Sequence, residues 1–445
     1  MIVDSVLVNV KAYFKQAIVD CSIAFNEGRI FKIGRESSMP AADARFDLKN
    51  YLVFSGLIDA HVHLRDECKS YKEDFLSGTA AAAAGGMTTV LDMPNNEPVT
   101  MSAEALRNRM KIAEARILVD VGFRSEFPGN VGEIEGILRE GPVGFKLFMA
   151  DQVGGLNVND SEAILQAFKA LGKQVSTSVH AEDEQMLKRA QAELRRRGQN
   201  DVVAFLKAHS ENVELSAVTR VLDIVKQGNI RVHFCHVSTQ NGLGAIVDGK
   251  KSGMSISCEA TPHHLLLTVD DLKMTGTLGV TMPPIREKEH AEALWEGVRN
   301  GWIDIVASDH APHAVEEKEG ETVWDVKVGI PGLETTLPLM LTQVKRGLLS
   351  IGDVARLMSE KPAEIFNLKG KGCLKEGNNA DLTVVDLRKK FKIDSSNFQS
   401  KAKFSPFDGW EVEGKPAKTF VGGQLIMDEG EIIAKPGSGR VIRRQ

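Results

Sequence analysis

The pattern of hydrophobic and polar positions divides the chain into three parts. Residues 1 to about 54 contain short apolar runs, at 2–8, 17–25, 29–33 and 45–53, separated by Gly, Asn and charged turns. Such runs predict β-strands. Short strand patterns return at 381–386, 418–421 and 424–427. Neither end has enough strands to close a sheet alone, so we expect both ends to combine into one small β domain.

Between the two ends, an apolar strand, a loop and an amphipathic helix repeat eight times. The predicted strands are 56–65, 88–93, 117–123, 143–148, 174–180, 231–237, 254–259 and 303–307. The helical patterns are 72–84, 102–115, 131–139, 161–171, 183–197, 213–226, 240–251 and 287–299, with two more at 333–345 and 351–358. Eight such units are typical of a TIM-like (β/α)8 barrel. We therefore predict an α/β fold with a barrel at 55–367, flanked by a composite β domain built from 1–54 and 368–445.

Composition excludes several classes of function. The 445 residues are 42% hydrophobic and carry a formal net charge of −5, so the chain lacks the overall basic character of a nucleic-acid-binding protein. We expect the short basic stretch at 440–444 to be a solvated end. No apolar run reaches the roughly 18 residues of a membrane span, and the N-terminus has no signal-peptide pattern. Five cysteines without a Cys-x-x-Cys pair fit a reducing compartment, so we expect a cytoplasmic protein.

Polar side chains follow the ends of successive predicted strands. His61 and His63 project to the same side of the first strand, because strand side chains alternate, and Arg65 follows on that face. Later strand ends carry Asn95, Lys146, His180, His236, Asp309 and His313. In a β/α barrel these strand ends meet at one mouth. One strand-end histidine is usually a structural residue, but four of them with a lysine and an aspartate predict a metal centre. We assign no role to His209, His233 and His290.

Lys146 is an unusual member of this set. A buried ammonium between metal-binding histidines repels the ions and tends to lose its proton. The neutral amine can then react with carbon dioxide to give a carbamate, whose two anionic oxygens can bridge two metals about 3.5–4 Å apart. The alternative is an ordinary ion pair of Lys146 with Asp92 or Asp309. We favour the carbamate because no other residue of the set supplies a bridging anion.

Seven motifs resemble those of the amidohydrolase superfamily and, within it, the dihydroorotases, over nearly the whole chain. The motifs are Asp59-Ala-His-Val-His-Leu-Arg65, Asp92-Met-Pro-Asn-Asn96, Gly144-Phe-Lys-Leu-Phe148, His236-Val-Ser-Thr239, Cys258-Glu-Ala-Thr-Pro-His-His264, Ser308-Asp-His-Ala-Pro-His313 and Gly329-Ile-Pro-Gly-Leu-Glu-Thr335. The resemblance implies a metal-dependent barrel with two zinc ions per subunit. In that arrangement His61, His63 and Asp309 hold one zinc, and His180 and His236 hold the second. Carboxylated Lys146 bridges the two, and Arg65, Asn95 and His313 match positions that bind the substrate carboxylate.

The resemblance also implies the reaction, which is the reversible cyclisation of N-carbamoyl-L-aspartate to (S)-dihydroorotate in pyrimidine biosynthesis. Asp309 would serve as both base and acid. An allantoinase or hydantoinase is the alternative, and a non-catalytic scaffold member of the fold is a more distant one. We expect a homodimer acting on a small-molecule substrate, and association with aspartate carbamoyltransferase is left open. The chain departs from the family at Asp66-Glu67-Cys68, where many relatives have Glu-Pro-Gly, and at Met282, where bacterial relatives have Asn.

Overall fold

The structure is a computed structural model that describes residues 2–173, 175–228 and 230–444. Gln174, the first residue of the predicted strand 174–180, lies outside the described residues. Eight strands, each parallel to the next, form the barrel: Leu57–Val62, Met87–Asp92, Asp120–Glu126, Gly144–Phe148, Ser176–His180, Val232–Phe234, Ile256–Ala260 and Ile305–Val306. The last strand meets the first through a parallel bridge between Val62 and His310. The N–H of His63 donates to the carbonyl of His310 there, over 2.8 Å.

Helices surround these strands. They are Phe75–Ala84, Ala103–Glu114, Ile134–Arg139, Ser161–Leu171, Glu184–Arg196, Val202–Ala208, Glu211–Lys226, Gln240–Lys251, Pro262–Leu266, Val269–Thr275, Lys288–Arg299, Leu333–Lys345, Ile351–Ala355 and Lys361–Ile365. Several begin at a side chain that accepts a backbone N–H of the first turn, as Asp74 does from Ser77 and Ser102 from Ala105. The sequence pattern did not predict Val202–Ala208, Pro262–Leu266, Val269–Thr275 and Lys361–Ile365, because one or two turns are too short to show a helical period. Within the described residues, no helix is both long and apolar enough to cross a bilayer.

Both chain ends build a second sheet. In spatial order its strands are Glu431–Ile432, Gln424–Asp428, Glu411–Val421, Leu382–Lys392, Leu52–Ser55, Ile2–Phe14, Ala17–Asn26 and Arg29–Gly34, and Ala41–Asp47 pairs with Ile2–Phe14. The two ends meet where Leu52–Ser55 runs antiparallel to Leu382–Lys392. Phe25, Phe46 and Phe420 stack edge-on in its core. The predicted fold class, a barrel with a composite β domain, is confirmed.

The C-terminal segment differs from its prediction as a solvated end. Val441–Ile442 pairs in parallel with the barrel strand Asp120–Glu126. The C-terminal segment also bonds to the backbone just before that strand, where the carbonyl of Ile117 accepts hydrogen bonds from the N–H groups of Gly437 and Gly439. The strand begins at Asp120 and not at Ile117 as predicted, and the backbone at Ile117 bonds to the C-terminal segment. A two-residue strand that pairs with a partner over 300 residues away leaves no local pattern in the sequence.

Candidate metal centre and active site

Asp309 and two histidines form one half of a buried cluster at the barrel mouth. Its Oδ1 lies 3.2 Å from Nε2 of His61 and 3.2 Å from Nε2 of His63. The two imidazole rings are 5.4 Å apart. All three side chains come from the first and last strand ends, which the barrel closure brings together. The structure therefore places two neutral nitrogen donors and one carboxylate around a single point.

His180 and His236 form the other half. Nδ1 of His180 lies 3.1 Å from Nε2 of His236, and the rings are 4.7 Å apart. The ring of His236 is also 5.3 Å from that of His61, which joins the two halves. The ligand atoms of His61, His236 and Asp309 all lie within 4.8 Å of one another. All four histidines and Asp309 therefore occupy one compact cluster.

Partners on the outer nitrogens fix three of the four imidazoles. Nδ1 of His61 donates to Glu259 over 2.5 Å, Nδ1 of His63 to Asn95 over 2.6 Å, and Nε2 of His180 to Glu182 over 2.9 Å. Each of these bonds sets the tautomer that leaves the inner nitrogen with its lone pair. His236 differs, because its buried Nδ1 has no partner among the described residues.

Burial keeps the imidazoles of His61, His63 and His236 neutral. Desolvation lowers the pKa of His61 to about 4 and lowers the pKa values of His63 and His236 well below their usual range. Neutral imidazole is the form that binds a metal ion. Buried imidazole lone pairs beside a carboxylate are the donor set that zinc prefers. The residues at the mouth therefore fit a divalent metal.

Lys146 is fully buried in the fourth strand, beneath the histidines. Its Nζ lies 3.1 Å from Sγ of Cys235 and 4.8 Å from the ring centre of Phe148. The predicted ion-pair alternative is not formed, because Asp92 binds Arg109 and Asp309 contacts the two histidines. Burial raises the pKa of Cys235 to about 12, so this neighbour is a neutral thiol. The buried Nζ of Lys146 therefore has no ion pair with either predicted partner.

A second group of side chains could hold a metal in principle. The ligand atoms of His61, Cys235 and Glu259 also lie within 4.8 Å of one another. Glu259, however, accepts hydrogen bonds from His61 and from His233 over 2.9 Å. Because it binds both imidazoles, Glu259 acts as the residue that orients His61.

The residues predicted to bind the substrate carboxylate lie beside this cluster. Arg65 is 7% exposed and directs Nε to the carbonyl of Pro312 over 3.3 Å, which leaves its other N–H groups for a ligand. His313 donates from Nε2 to the carbonyl of Val328 over 3.0 Å, and its Nδ1 accepts from Lys72 over 3.1 Å. Nη2 of Arg65 lies 3.3 Å from the His313 ring. Arg65 and His313 are therefore in contact at the mouth.

Asn95 has a more specific position than the sequence suggested. Its Oδ1 accepts the bond from His63, so its Nδ2 is left to donate to a ligand. The neighbouring loop, where the chain departs from its relatives, has positive φ at Arg65, Asp66 and Glu67. Glu67 there accepts from Arg109 over 2.7 Å. A buried ion pair thus fixes the loop that carries Arg65.

The segment after the eighth strand closes over one side of the mouth. Lys318 is fully buried and donates from Nζ to the carbonyls of Val280, Lys327 and Gly329, over 3.1, 2.9 and 2.9 Å. These bonds join the loops that follow the seventh and eighth strands. Since His313 donates to the adjacent carbonyl of Val328, Lys318 holds the segment that orients His313.

Two of the candidate ligands have strained backbones. His236 has a φ of 32° and Asp309 a φ of 47°, in the left-handed region that most residues avoid. Such conformations persist where the surrounding structure enforces them, and they concentrate at functional sites. The strain therefore agrees with a functional role for both positions.

Sequence reasoning missed the carboxylates behind the histidines. Glu182 joins His180 to His209, whose Nδ1 lies 2.8 Å from its other oxygen. Glu259 joins His61 to His233 in the same way. The sequence analysis gave His209 and His233 no role, because neither lies at a strand end. Glu182, two residues after a predicted ligand, could have been recognised from that spacing.

Comparisons with known proteins identify the family of this chain. The model of the amidohydrolase family matches residues 52–426. The dihydroorotase of Methanothermobacter thermautotrophicus is 38% identical over 424 residues, covering 95% of this chain and 94% of the relative. The L-hydantoinase of Paenarthrobacter aurescens is 34% identical over 452 residues, covering 99% and 98%.

Solved structures lead to the same family. The L-hydantoinase (dihydropyrimidinase) structure from Arthrobacter aurescens superimposes with a TM-score of 0.95 at 33% identity, covering 99% of this chain and 100% of that one. The family model, the relatives and the solved structure each span most of the chain, and the residues matched by the family model include every candidate ligand. The chain therefore belongs to the amidohydrolase family.

Proposed function

We propose that the chain is a dihydroorotase, which interconverts N-carbamoyl-L-aspartate and (S)-dihydroorotate in pyrimidine biosynthesis. The family is metal-dependent, and its dihydroorotase and hydantoinase members are cyclic amide hydrolases. The observation that carries the choice of substrate is the position of Arg65, a buried guanidinium beside the cluster of histidines and Asp309. Dihydroorotate has a carboxylate on its ring, and a guanidinium binds a carboxylate through two parallel charged hydrogen bonds.

Six side chains would hold two zinc ions at the mouth. These are His61, His63, His180, His236, Asp309 and carboxylated Lys146 as the bridge. Support for the bridge comes from the buried amine of Lys146, which the carboxylates of Asp92 and Asp309 leave unpaired. When bound, the metals would supply a hydroxide near neutral pH and polarise the amide carbonyl.

The residues of the rim hold the substrate in one orientation. Arg65 offers its remaining N–H groups to the carboxylate, and Asn95 offers its Nδ2. His313 lies in contact with Arg65. Together with Asn95, these side chains would form the subsite that receives the substrate carboxylate. With the carboxylate fixed there, the ring amide is directed towards Asp309.

Asp309 is the residue that moves the proton. Its carboxylate can accept the proton of the attacking water and deliver it to the ring nitrogen that leaves, which is base followed by acid catalysis at the same oxygens. In the reverse direction, Asp309 takes the proton from the carbamoyl nitrogen as the ring closes. The side chain is only slightly exposed, so bulk water competes little for this proton.

A hydantoinase is the second candidate, because the L-hydantoinase relatives match the chain almost as closely as the dihydroorotase does. Hydantoin and allantoin rings lack the carboxylate of dihydroorotate. A dihydroorotase therefore needs Arg65 to bind the substrate carboxylate, whereas a hydantoinase does not.

Parallel assays on dihydroorotate, allantoin and 5-substituted hydantoins test the proposal. We expect dihydroorotate to be turned over fastest. Arg65→Lys keeps the charge but loses the planar fork, so kcat/KM for dihydroorotate should fall roughly ten- to a few-hundred-fold, since a charged hydrogen bond contributes about 1.5–3 kcal/mol. Zinc content should stay the same. Faster turnover of a neutral ring, or indifference of dihydroorotate turnover to Arg65→Lys, would favour the hydantoinase.

The remaining expectations from the sequence are also proposals. The catalytic barrel spans 55–367, and 1–54 with 368–445 form the composite domain. The enzyme acts in the cytoplasm as a homodimer, and an aspartate carbamoyltransferase is the candidate protein partner. Sedimentation of the purified chain, alone and mixed with that transferase, measures both associations.

A further inference from the structure

The C-terminal segment is fixed to the end of the barrel opposite the mouth. The N–H of Arg440 donates to Asp120 over 2.9 Å, and the N–H of Arg444 donates to the carbonyl of Gly141 over 2.9 Å. Between them, Val441–Ile442 pairs with the barrel strand Asp120–Glu126. The arginines at 440, 443 and 444 are therefore held at this end of the barrel.

These arginines border a cavity of about 400 Å³, which we call the basal pocket. Its wall also includes Arg29 from the composite sheet and Lys369 and Lys371 from the segment after the last helix. Buried apolar side chains, Val143, Phe366 and Leu368, contribute its apolar surface. Three separate parts of the chain thus bring six cationic side chains to one concave surface.

The carboxylates near the pocket neutralise one of these cations. Nζ of Lys371 lies 2.7 Å from Asp120 and 2.6 Å from Asp381. Of the other five, Arg443 alone has a carboxylate of a described residue within 4.0 Å, which is Glu114 at 4.0 Å. The chain as a whole has a net charge of −5, so this local excess of positive charge is not a general property of its surface.

Three of the four arginines of the pocket bond to neutral groups. Arg29 donates to the carbonyl of Gly377 over 2.8 Å, Arg443 to that of Glu140 over 3.2 Å, and Arg444 to that of Leu138 over 3.4 Å. Nε of Arg444 is shielded from solvent and has no partner among the described residues. Backbone carbonyls therefore position these three guanidinium groups, and of the three only Arg443 has a carboxylate of a described residue within 4.0 Å.

We propose that the basal pocket binds a phosphate-bearing anion of nucleotide size. Guanidinium groups recognise phosphate through paired charged hydrogen bonds. The volume is in the range of small-molecule sites, and the apolar side chains give a surface on which a base or sugar can pack. Since the ligand would contact the composite sheet, the barrel and the C-terminal segment together, its binding should stabilise the folded protein.

Calorimetry and thermal unfolding of the full-length protein test this proposal, with phosphate, pyrophosphate, ATP and UTP as the probes. The test variant is Lys369→Gln with Arg440→Gln and Arg443→Gln, whose side chains are exposed and remote from the mouth. The control is Lys111→Gln with Arg189→Gln and Arg299→Gln, which removes the same charge from exposed helix positions. Saturating N-carbamoyl-L-aspartate occupies the cationic rim of the mouth in every titration.

We expect the nucleotides to bind the wild type and the control and to raise their unfolding temperature. The test variant should bind them about 100-fold more weakly or worse, since several charged hydrogen bonds are lost. Turnover at the mouth should be the same in all three proteins. If pyrophosphate binds as tightly as ATP and UTP, the basal pocket is still a phosphate-binding site, but its ligand is a free phosphate and not a nucleotide. Equal binding by test and control variants, or no saturable binding by the wild type at millimolar probe, would overturn the proposal.

Discussion

Two buried lysines, at opposite ends of one barrel, have opposite surroundings. Lys371, at the end away from the mouth, lies between Asp120 and Asp381, and these carboxylates raise its pKa above the usual value despite burial. Lys146, beneath the mouth, contacts a neutral thiol and an aromatic ring. The same residue type is fully paired at one end and unpaired at the other.

The difference shows how the barrel separates stability from chemistry. The ion pairs of Lys371 link a barrel strand to the composite sheet, which is a structural task. At the mouth, by contrast, imidazole nitrogens keep their lone pairs and two backbones are strained. Barrels of this type place their active sites at the carboxyl ends of the strands and use the other end for stability. An unpaired buried lysine among the candidate metal ligands therefore agrees with the proposed role of Lys146.

Replacement of Lys146 should give the largest effect. Lys146→Ala removes the proposed bridge, and the metals contribute several kcal/mol to the transition state, so turnover should fall about a thousandfold or more. The metal content should drop below two ions per chain, measured by elemental analysis beside a dihydroorotate assay. A Lys146→Ala protein with full activity would refute the carbamate.

Replacement of Lys371 should give the reverse pattern. Lys371→Met leaves Asp120 and Asp381 buried without their cation, and removal of one partner of a buried ion pair costs about 3–5 kcal/mol of unfolding free energy. Denaturant unfolding measures this loss, and turnover per folded molecule should stay close to that of the wild type. As a control, Lys361→Met removes a more exposed ion pair with Glu364, and we expect a change within about 0.5 kcal/mol. A Lys371→Met protein that is stable but inactive would contradict the separation of the two ends.

The sequence predicted the parts of the molecule that follow a period. Eight apolar runs separated by helical patterns were sufficient to predict the barrel. The positions of the histidines, Lys146 and Asp309 at or near strand ends were sufficient to predict that these residues lie close together. The barrel closure then explains why residues as distant as His61 and Asp309 come within 3.2 Å. Strand pairing between distant parts of the chain could not be predicted where the strands are too short to show a hydrophobic period. The C-terminal segment, which pairs with the barrel strand Asp120–Glu126, is the clearest case.

The sequence analysis also missed the residues behind the site, and only Glu182 had a usable signal, its spacing of two residues from His180. Glu182 and Glu259 contact the outer nitrogens of His180 and His61 and do not face the centre of the cluster, so counting the polar residues at strand ends did not assign them. His209 gains its role from a helix that ends beside Glu182. Such contacts depend on how elements pack, which alternation and helical period do not encode.

Glu182→Gln should have the smallest effect of the changes considered. It tests whether a carboxylate that contacts a histidine at the mouth supports metal binding or only the fold. Glu182→Gln keeps the shape of the side chain but weakens its hold on Nε2 of His180, so Nδ1 is a poorer metal donor. Zinc affinity should fall about 10–100-fold, measured by competition with a chelator. The matched control is Glu73→Gln, because Glu73 contacts His310, which is not a candidate ligand, over 3.3 Å. We expect Glu73→Gln to lower stability and to leave zinc affinity nearly unchanged. Equal losses of zinc affinity in the two variants would mean that Glu182 supports the fold and does not specifically orient His180.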